Sequence, residues 1–371
     1  MIFRRTSARR PLPRWADIAV VPLVNVLLAF LVAGLIVLII GENPLAAVRV
    51  MIVGALGNSE GIGYTLYYTT NYIFTGLAVA VAFHAGLFNI GGEGQSYIGG
   101  LGVGLLLLAG DRALPLAALV PLAILAAALF GAAWAFVPAY LQAYRGSHIV
   151  ITTIMFNFLA SALMVYLMVN VLIAPHQMSP WSREFAPTAW LPRADAVLAG
   201  LHIRVAESPL NLSFVLAIIA SFGVWAYLWH TPWGYELRTV GQSEKAALYA
   251  GIKLRRVIIV AMCLSGALAG FVGVNEIMGV HHRLLLGFNL GYGFTGIAVA
   301  LMGRNHPVGV VLASLLFGIL SQGGAELAFE IPAITPEMII VIQGLIILFS
   351  GALANLNRSL FERLFAIGTG G

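Results

Sequence analysis

Runs of about twenty apolar residues recur along nearly the whole chain, cut by short breaks rich in glycine, proline or polar residues. "VPLVNVLLAFLVAGLIVLII" at 21–40 and "LAALVPLAILAAALFGAAWAFV" at 116–137 are two of them. About twenty such residues are what a helix needs to cross a hydrocarbon core of about 30 Å, and a soluble core has no room for so many. Composition agrees: 9% of the 371 residues are charged, against roughly 25% in a soluble domain. The expected fold class is an all-α integral membrane protein.

Hydropathy and turn residues predict about ten transmembrane helices, near 18–40, 64–83, 88–109, 114–138, 148–173, 210–230, 256–279, 288–303, 306–323 and 334–354. The run from Ile18 to Ile40 is too long for the apolar region of a cleavable signal peptide and reads as the first span. With the Arg-rich start on the cytoplasmic side, 14 of the 20 Lys and Arg residues fall in inner segments, as the positive-inside rule requires. The expected organisation is a cytoplasmic tail at 1–17, one transmembrane domain at 18–354 and a cytoplasmic tail at 355–371, with both termini cytoplasmic. Within that domain, 174–209 is an outer loop and 231–255 an inner one.

Several function classes are closed. No HExxH, Walker A or GxSxG pattern occurs, so the familiar motifs of a metalloprotease, ATPase or hydrolase are missing. "GYGFTG" at 291–296 has dinucleotide-loop spacing but follows an apolar segment instead of a strand, and it is not read as a nucleotide site. The net charge of +5 sits in scattered loops, which speaks against nucleic acid as a partner. Cys263 is the only cysteine and reads as core packing. His281, His282 and Arg283 read as an outer turn with too few ligands for a metal. No catalytic, cofactor-binding or metal-binding residues are expected. An intramembrane enzyme built on Glu93 or His84 lacks a second carboxylate at a useful spacing.

The polar break "AFHAGLFNIGGEGQSYIGG" at 82–100 stands out between two apolar segments. An unpaired polar group at membrane depth costs several kcal/mol, so each one there needs a partner or a use. Gly91 and Gly92 permit a bend, and Glu93 at a helix start can satisfy free backbone N–H groups or, alternatively, contact a solute or ion. Asn89, Gln95, Asn157, Asn275 and Glu276 are candidate hydrogen-bonding residues along a solute path, with Phe88 and Phe156 available to stack on a ring; each has the plainer reading of an interhelical contact. Gly100 and Gly104, Gly266 and Gly270, and Gly287 and Gly291 are spaced to let helix backbones approach in lipid.

Two further features bear on mechanism. In the inner loop, Ser243 suits an N-cap, Glu244 the positive helix start and Gly251 the position after a helix of about two turns. So short a helix needs a surface, either its own bundle or a groove on a cytoplasmic partner. "FTGLAVA" at 74–80 recurs as "FTGIAVA" at 294–300, each copy followed by a polar break, which is either chance in an apolar alphabet or an internal pseudo-repeat with broken helices. The outer loop carries Trp181 and Trp190, suited to a lipid-interface belt or to a docking surface.

"GLFNIGGEGQ" at 86–95, "TPWGYELRTVGQSEKAALYAGI" at 231–252, "LSGALAGFVGV" at 264–274 and "GFTGIAVALMGRNHPVG" at 293–309 together resemble the permease subunits of bacterial ABC importers of the branched-chain amino acid and simple-sugar type, closest to the nucleoside branch associated with BMP-type lipoproteins. That resemblance implies a multi-pass subunit in the bacterial plasma (inner) membrane, in contact with membrane lipid. It would pair with a second homologous permease, two cytoplasmic ABC ATPase domains and an extracytoplasmic solute-binding protein or lipoprotein. ATP–Mg would be held by the ATPases and no cofactor by this chain. Ser243, Glu244, Ala246, Ala247, Leu248, Tyr249 and Gly251 then resemble the coupling helix that contacts an ATPase. The implied cargo is a small polar solute, a nucleoside or purine first and a simple sugar second. An ATP-independent secondary transporter or channel is the competing reading.

Overall fold

A computed structural model describes residues 21–348, apart from 201 and 290. The expected tails at 1–17 and 355–371, and with them the side on which the termini lie, fall outside the described residues. Among those residues the chain forms α-helices and no strand. In order they are α1 (Val21–Ile40), α2 (Pro44–Leu56), α3 (Ser59–His84), α4 (Gly92–Gly110), α5 (Leu116–Arg145), α6 (Ile149–Asn170) and α7 (Ala194–Ala199). Then follow α8 (Ser213–His230), α9 (Pro232–Gln242), α10 (Glu244–Tyr249), α11 (Leu254–Gly270), α12 (Tyr292–Met302), α13 (Pro307–Glu330) and α14 (Pro336–Ile347). α11 runs on into a π-helical turn, Val274–His281.

Among the described residues six helices are long and apolar enough to cross a membrane: α3, α5, α6, α8, the run Leu254–His281 and α13. α1 and α2 form a pair bent by 117° that passes the same test together. The most apolar windows of α5, α6 and α8 are only 22%, 28% and 28% buried, leaving side chains such as Leu125, Phe158 and Phe222 exposed. Exposed apolar surface on that scale is lipid-facing surface. α3 is the opposite case, with lower hydropathy but 83% buried; its Thr65, Thr69, Asn71 and Thr75 are nearly inaccessible. It is the inner helix around which polar contacts gather.

Among the described residues, 55–322 form one compact unit, and 21–54 with 323–348 form another. In the latter, Gly323 lies against the backbone of Met51, Gly324 against Ile339, and α1 packs on α14.

The structure departs from the sequence expectations in three places. α2 is an extra helix, which the apolar pattern merged into a connection. The inner loop at 231–255 holds, besides the expected two-turn helix α10, the helix α9, because Thr231 caps α9 by accepting the Gly234 N–H (3.1 Å), and Pro232 sits in its first turn. The expected span at 288–303 is helical only from Tyr292, and residues 283–289 and 291 are irregular.

That irregular strip lies along α4. A Cβ at Gly104 would sit 3.0 Å from Leu284, Gly100 leaves room for the Phe288 ring, the Gly287 N–H donates to Tyr97 Oη (2.8 Å), and Asn289 Nδ2 donates to the Glu93 carbonyl (3.1 Å). Gly287 and Gly291 make no close approach; they hold φ of 73° and 78°, a left-handed backbone in which glycine is the unstrained choice.

Candidate functional site

Two helix N-termini meet in the interior. α4 begins at Gly92 and α12 at Tyr292, and their starts cross through Gly92 and Gly293, where a Cβ on Gly293 would strike the backbone of Gly92 and Glu93. Each helix start presents unpaired N–H groups and roughly half a positive charge. Glu93 lies between them, and its carboxylate accepts the Gly291 N–H through Oε1 (3.1 Å) and the Gly293 N–H through Oε2 (2.8 Å). Glu93 therefore caps α12, although sequence reasoning placed its interaction at the start of its own helix. α12 has no side-chain cap of its own, and nothing in a local pattern signals a cap supplied about two hundred residues away.

The start of α4 is held by other predicted residues. Asn89 is inaccessible; its Oδ1 accepts the Gly91 N–H (2.8 Å), and its Nδ2 donates to Gln95 Oε1 (2.9 Å) and Ser265 Oγ (2.9 Å). Gln95 Nε2 returns a bond to Asn89 Oδ1 (3.2 Å). Asn157 reaches across from α6: its Oδ1 accepts the Gly94 N–H (2.9 Å) and its Nδ2 donates to the Ile90 carbonyl (2.9 Å). Phe88 packs on Phe83 with ring centroids 5.1 Å apart, and Phe156 packs on Trp134 at 5.3 Å. The structure thus gathers Asn89, Gly91, Gly92, Glu93, Gln95 and Asn157 in one junction, with protein partners on each polar side chain. Asn275 and Glu276 belong to a different polar cluster, between α3, α8 and the π-helical turn.

The two copies of the echoed heptapeptide touch. A Cβ on Gly76 would lie 2.8 Å from Val299, and one on Gly296 would lie 2.6 Å from Thr75, so the paired glycines let α3 and α12 cross closely. The polar turns that follow the copies also meet, with His84 Nε2 3.0 Å from the Asn305 carbonyl oxygen.

Beside that meeting lies α9. Gly241, at its end, faces the His84 carbonyl and the Gly86 amide, and a Cβ there would be 2.8 Å from the Gly86 nitrogen. α10 follows at once. Ser243 Oγ accepts the Ala246 N–H (3.3 Å), and the helix closes with Ile252 N–H donating to the Ala247 carbonyl (2.9 Å) and Gly251 N–H to the Leu248 carbonyl (3.0 Å), Gly251 having φ of 77°. These are the two bonds of a Schellman turn, whose usual apolar contact is supplied by Ala247 and Ile252. Those two side chains are buried; Glu244, Lys245, Ala246, Leu248 and Tyr249 are exposed, Tyr249 to 95%. Among the predicted residues Ala247 therefore faces the protein, and the outward face is the rest of the helix.

On the outer loop, Arg183 grips Asp111 at the end of α4 with two bonds, Nη1 to Oδ2 (2.7 Å) and Nη2 to Oδ1 (2.9 Å), and Ala186 N–H adds a third to Oδ2 (2.8 Å). The guanidinium holds the Asp111 carboxyl below the usual carboxylate range. Trp190 stacks on His282 with centroids 4.0 Å apart, so this tryptophan fastens the loop to the bundle and is no lipid anchor. Burial pushes the His282 imidazole down, favouring its neutral form.

Among the described residues no group of three His, Cys, Asp or Glu side chains could hold a metal ion. A profile of the family described as branched-chain amino acid transport system / permease component matches residues 61–351. The chain is 35% identical over 343 residues to the glucose ABC transporter permease protein TsgB13 of Haloferax volcanii, covering 92% of this chain and 89% of that protein. It is 35% identical over 330 residues to the guanosine ABC transporter permease protein NupP of Bacillus subtilis, at 89% and 92% coverage. Against the nucleoside ABC transporter permease protein NupB of Lactococcus lactis it is 32% identical over 338 residues, with 89% of each chain covered.

Proposed function

The chain belongs to the family of branched-chain amino acid transport system permease components, and from that premise we propose that the solute its complex imports is a nucleoside or purine. It is the multi-pass permease subunit of an ATP-driven importer of the plasma membrane, and it has no ATPase motif of its own. The guanosine and nucleoside permeases among its relatives support that cargo. A simple sugar is the second reading, because the glucose permease of Haloferax volcanii is as similar as the guanosine permease.

The complex comprises this chain, a second homologous permease, two cytoplasmic ABC ATPase domains that hold ATP–Mg, and an extracytoplasmic solute-binding protein or lipoprotein. The chain crosses the membrane ten times with both termini cytoplasmic. Fourteen of its 20 basic residues then lie inside. The shortest crossing is the strip 283–291 followed by α12. Eleven helical residues at about 1.5 Å each give only about 16 Å, and the strip along α4 supplies the remainder. Irregular backbone at that depth is acceptable because it is buried in protein.

The observation that carries the mechanism is α10: a two-turn helix anchored by Ala247 and Ile252, with nearly all its other side chains exposed. A helix that short is not stable alone, and its free face, Glu244 to Tyr249, fits an ATPase groove. Its connection to Gly241, and from there to His84 and Gly86, gives ATPase closure a path to the helix ends around the junction. In a Tyr249→Cys complex, a short bifunctional thiol reagent is expected to link this chain to a groove cysteine on the ATPase, while Ala247→Cys stays unreactive. No link from Tyr249, or ready labelling at Ala247, refutes the placement. Asn89, Gln95, Asn157, Phe88 and Phe156 line the junction beside the solute path in this reading, with Glu93, Gly91 and Gly92 shaping the break.

A further inference from the structure

The geometry points to Glu276 as a solute-recognition site beneath the outer loop, one that accepts a hydroxyl of the translocating solute. The inference rests on the transport reading above and deepens it to a specific group. Glu276 has no accessible surface and stands in the π-helical turn Val274–His281, a rare geometry that recurs at functional sites. One oxygen is saturated: Oε1 accepts Tyr67 Oη–H (2.8 Å) and Asn71 Nδ2–H (2.5 Å). The other, Oε2, is buried with no hydrogen-bond partner. The imidazole of His281 stands beside it, Nε2 3.3 Å from Oε2, without the alignment of a hydrogen bond. A buried carboxylate oxygen left without a donor is costly, and its neighbours are otherwise paired with care. Asn275 Oδ1 accepts Asn211 Nδ2–H (2.8 Å) and Ser213 Oγ–H (2.7 Å), and Asn275 Nδ2 donates to Asn71 Oδ1 (2.9 Å).

The surroundings select the ligand class. Donors surround Oε1, and a cation site of the calcium type needs many oxygen ligands, so the open acceptor calls for a single O–H or N–H. In ten-span topology the π-helical turn faces the extracytoplasmic side. There the outer loop lies over it, with Leu191 N–H on the Met278 carbonyl (3.2 Å) and Asn211 beside Gly279. A solute released by the binding protein meets this region early, and its sugar hydroxyls are donors of the required kind. His281, with one third of its side chain exposed, covers Oε2 and yields it when a hydroxyl arrives.

The test uses the assembled complex in proteoliposomes with saturating binding protein, loaded with guanosine or with 2′,3′-dideoxyguanosine. The wild type is expected to turn over guanosine about tenfold faster, the low end for one hydrogen bond to a charged group, and Glu276→Gln is expected to bring the ratio near one. An active Glu276→Gln complex that keeps the wild-type ratio overturns the site alone. Absence of ATP-driven uptake by the wild type overturns the transport reading and the site with it. If Glu276→Gln does not assemble, His281→Cys in a Cys263→Ser background is labelled by an impermeant thiol reagent. Slower labelling with loaded than with empty binding protein is expected, and equal labelling refutes the site.

Discussion

A Glu93→Ala variant is expected to assemble poorly and to melt well below the wild type in detergent, whichever solute is present. The change strips the acceptor from the Gly291 and Gly293 N–H groups, and a buried donor left unpaired costs about 1–3 kcal/mol. It also leaves two helix starts facing each other with no negative charge between them. Glu93→Gln, which keeps one carbonyl oxygen, is expected to fall between the two. The measurement is a thermal melt of the purified complex followed by size-exclusion recovery. An Ala variant as stable as the wild type that has lost uptake would contradict a capping role and turn attention back to solute or ion contact.

The second large effect is expected at Gly241. Gly241→Val places side-chain atoms against the His84 carbonyl and the Gly86 amide, and neither backbone group can rotate away. Overpacking of this kind costs roughly 1–3 kcal/mol, which, at tenfold per 1.4 kcal/mol and where it falls on the transport cycle, corresponds to a loss of uptake of about fivefold to a hundredfold. Gly241 belongs to α9 and not to α10, so ATPase binding and basal hydrolysis are expected to persist. The signature is therefore hydrolysis without uptake. Equal loss of both, or loss of neither, contradicts Gly241 as the link between the docking helix and the helix ends.

How much of this was legible in the sequence follows from how local each signal is. The membrane class and most of the long helices follow from apolar runs, which depend on neighbouring residues alone. α10 was legible for the same reason, since Ser243 and Gly251 carry its cap and its stop within eight residues. The polar break at 82–100 announced itself because polar residues in an apolar setting need partners. The identity of those partners was not legible. Glu93 bonds to Gly291 and Gly293, Asn89 to Ser265, and Asn157 to Gly94 and Ile90, and such long-range pairs leave no local pattern. The irregular stretch before α12 was missed because an apolar strip with LLL and Phe288 reads like a helix, while Gly287 and Gly291 turn it out of one. Gly287 and Gly291 have packing-type spacing but serve backbone conformation, whereas Gly266 meets Gly131 and Gly270 meets Ala127 in close helix contacts. Spacing alone does not separate these two uses.

In the proposed function, this permease moves a nucleoside only when ATPases drive it. That requirement is tested most directly in proteoliposomes holding the complete complex, with ATP inside, binding protein outside and labelled guanosine as solute. Accumulation against a gradient that needs ATP, and that stops when the ATPase is inactivated, is the result predicted. Guanosine entry at the same rate without ATP would contradict it.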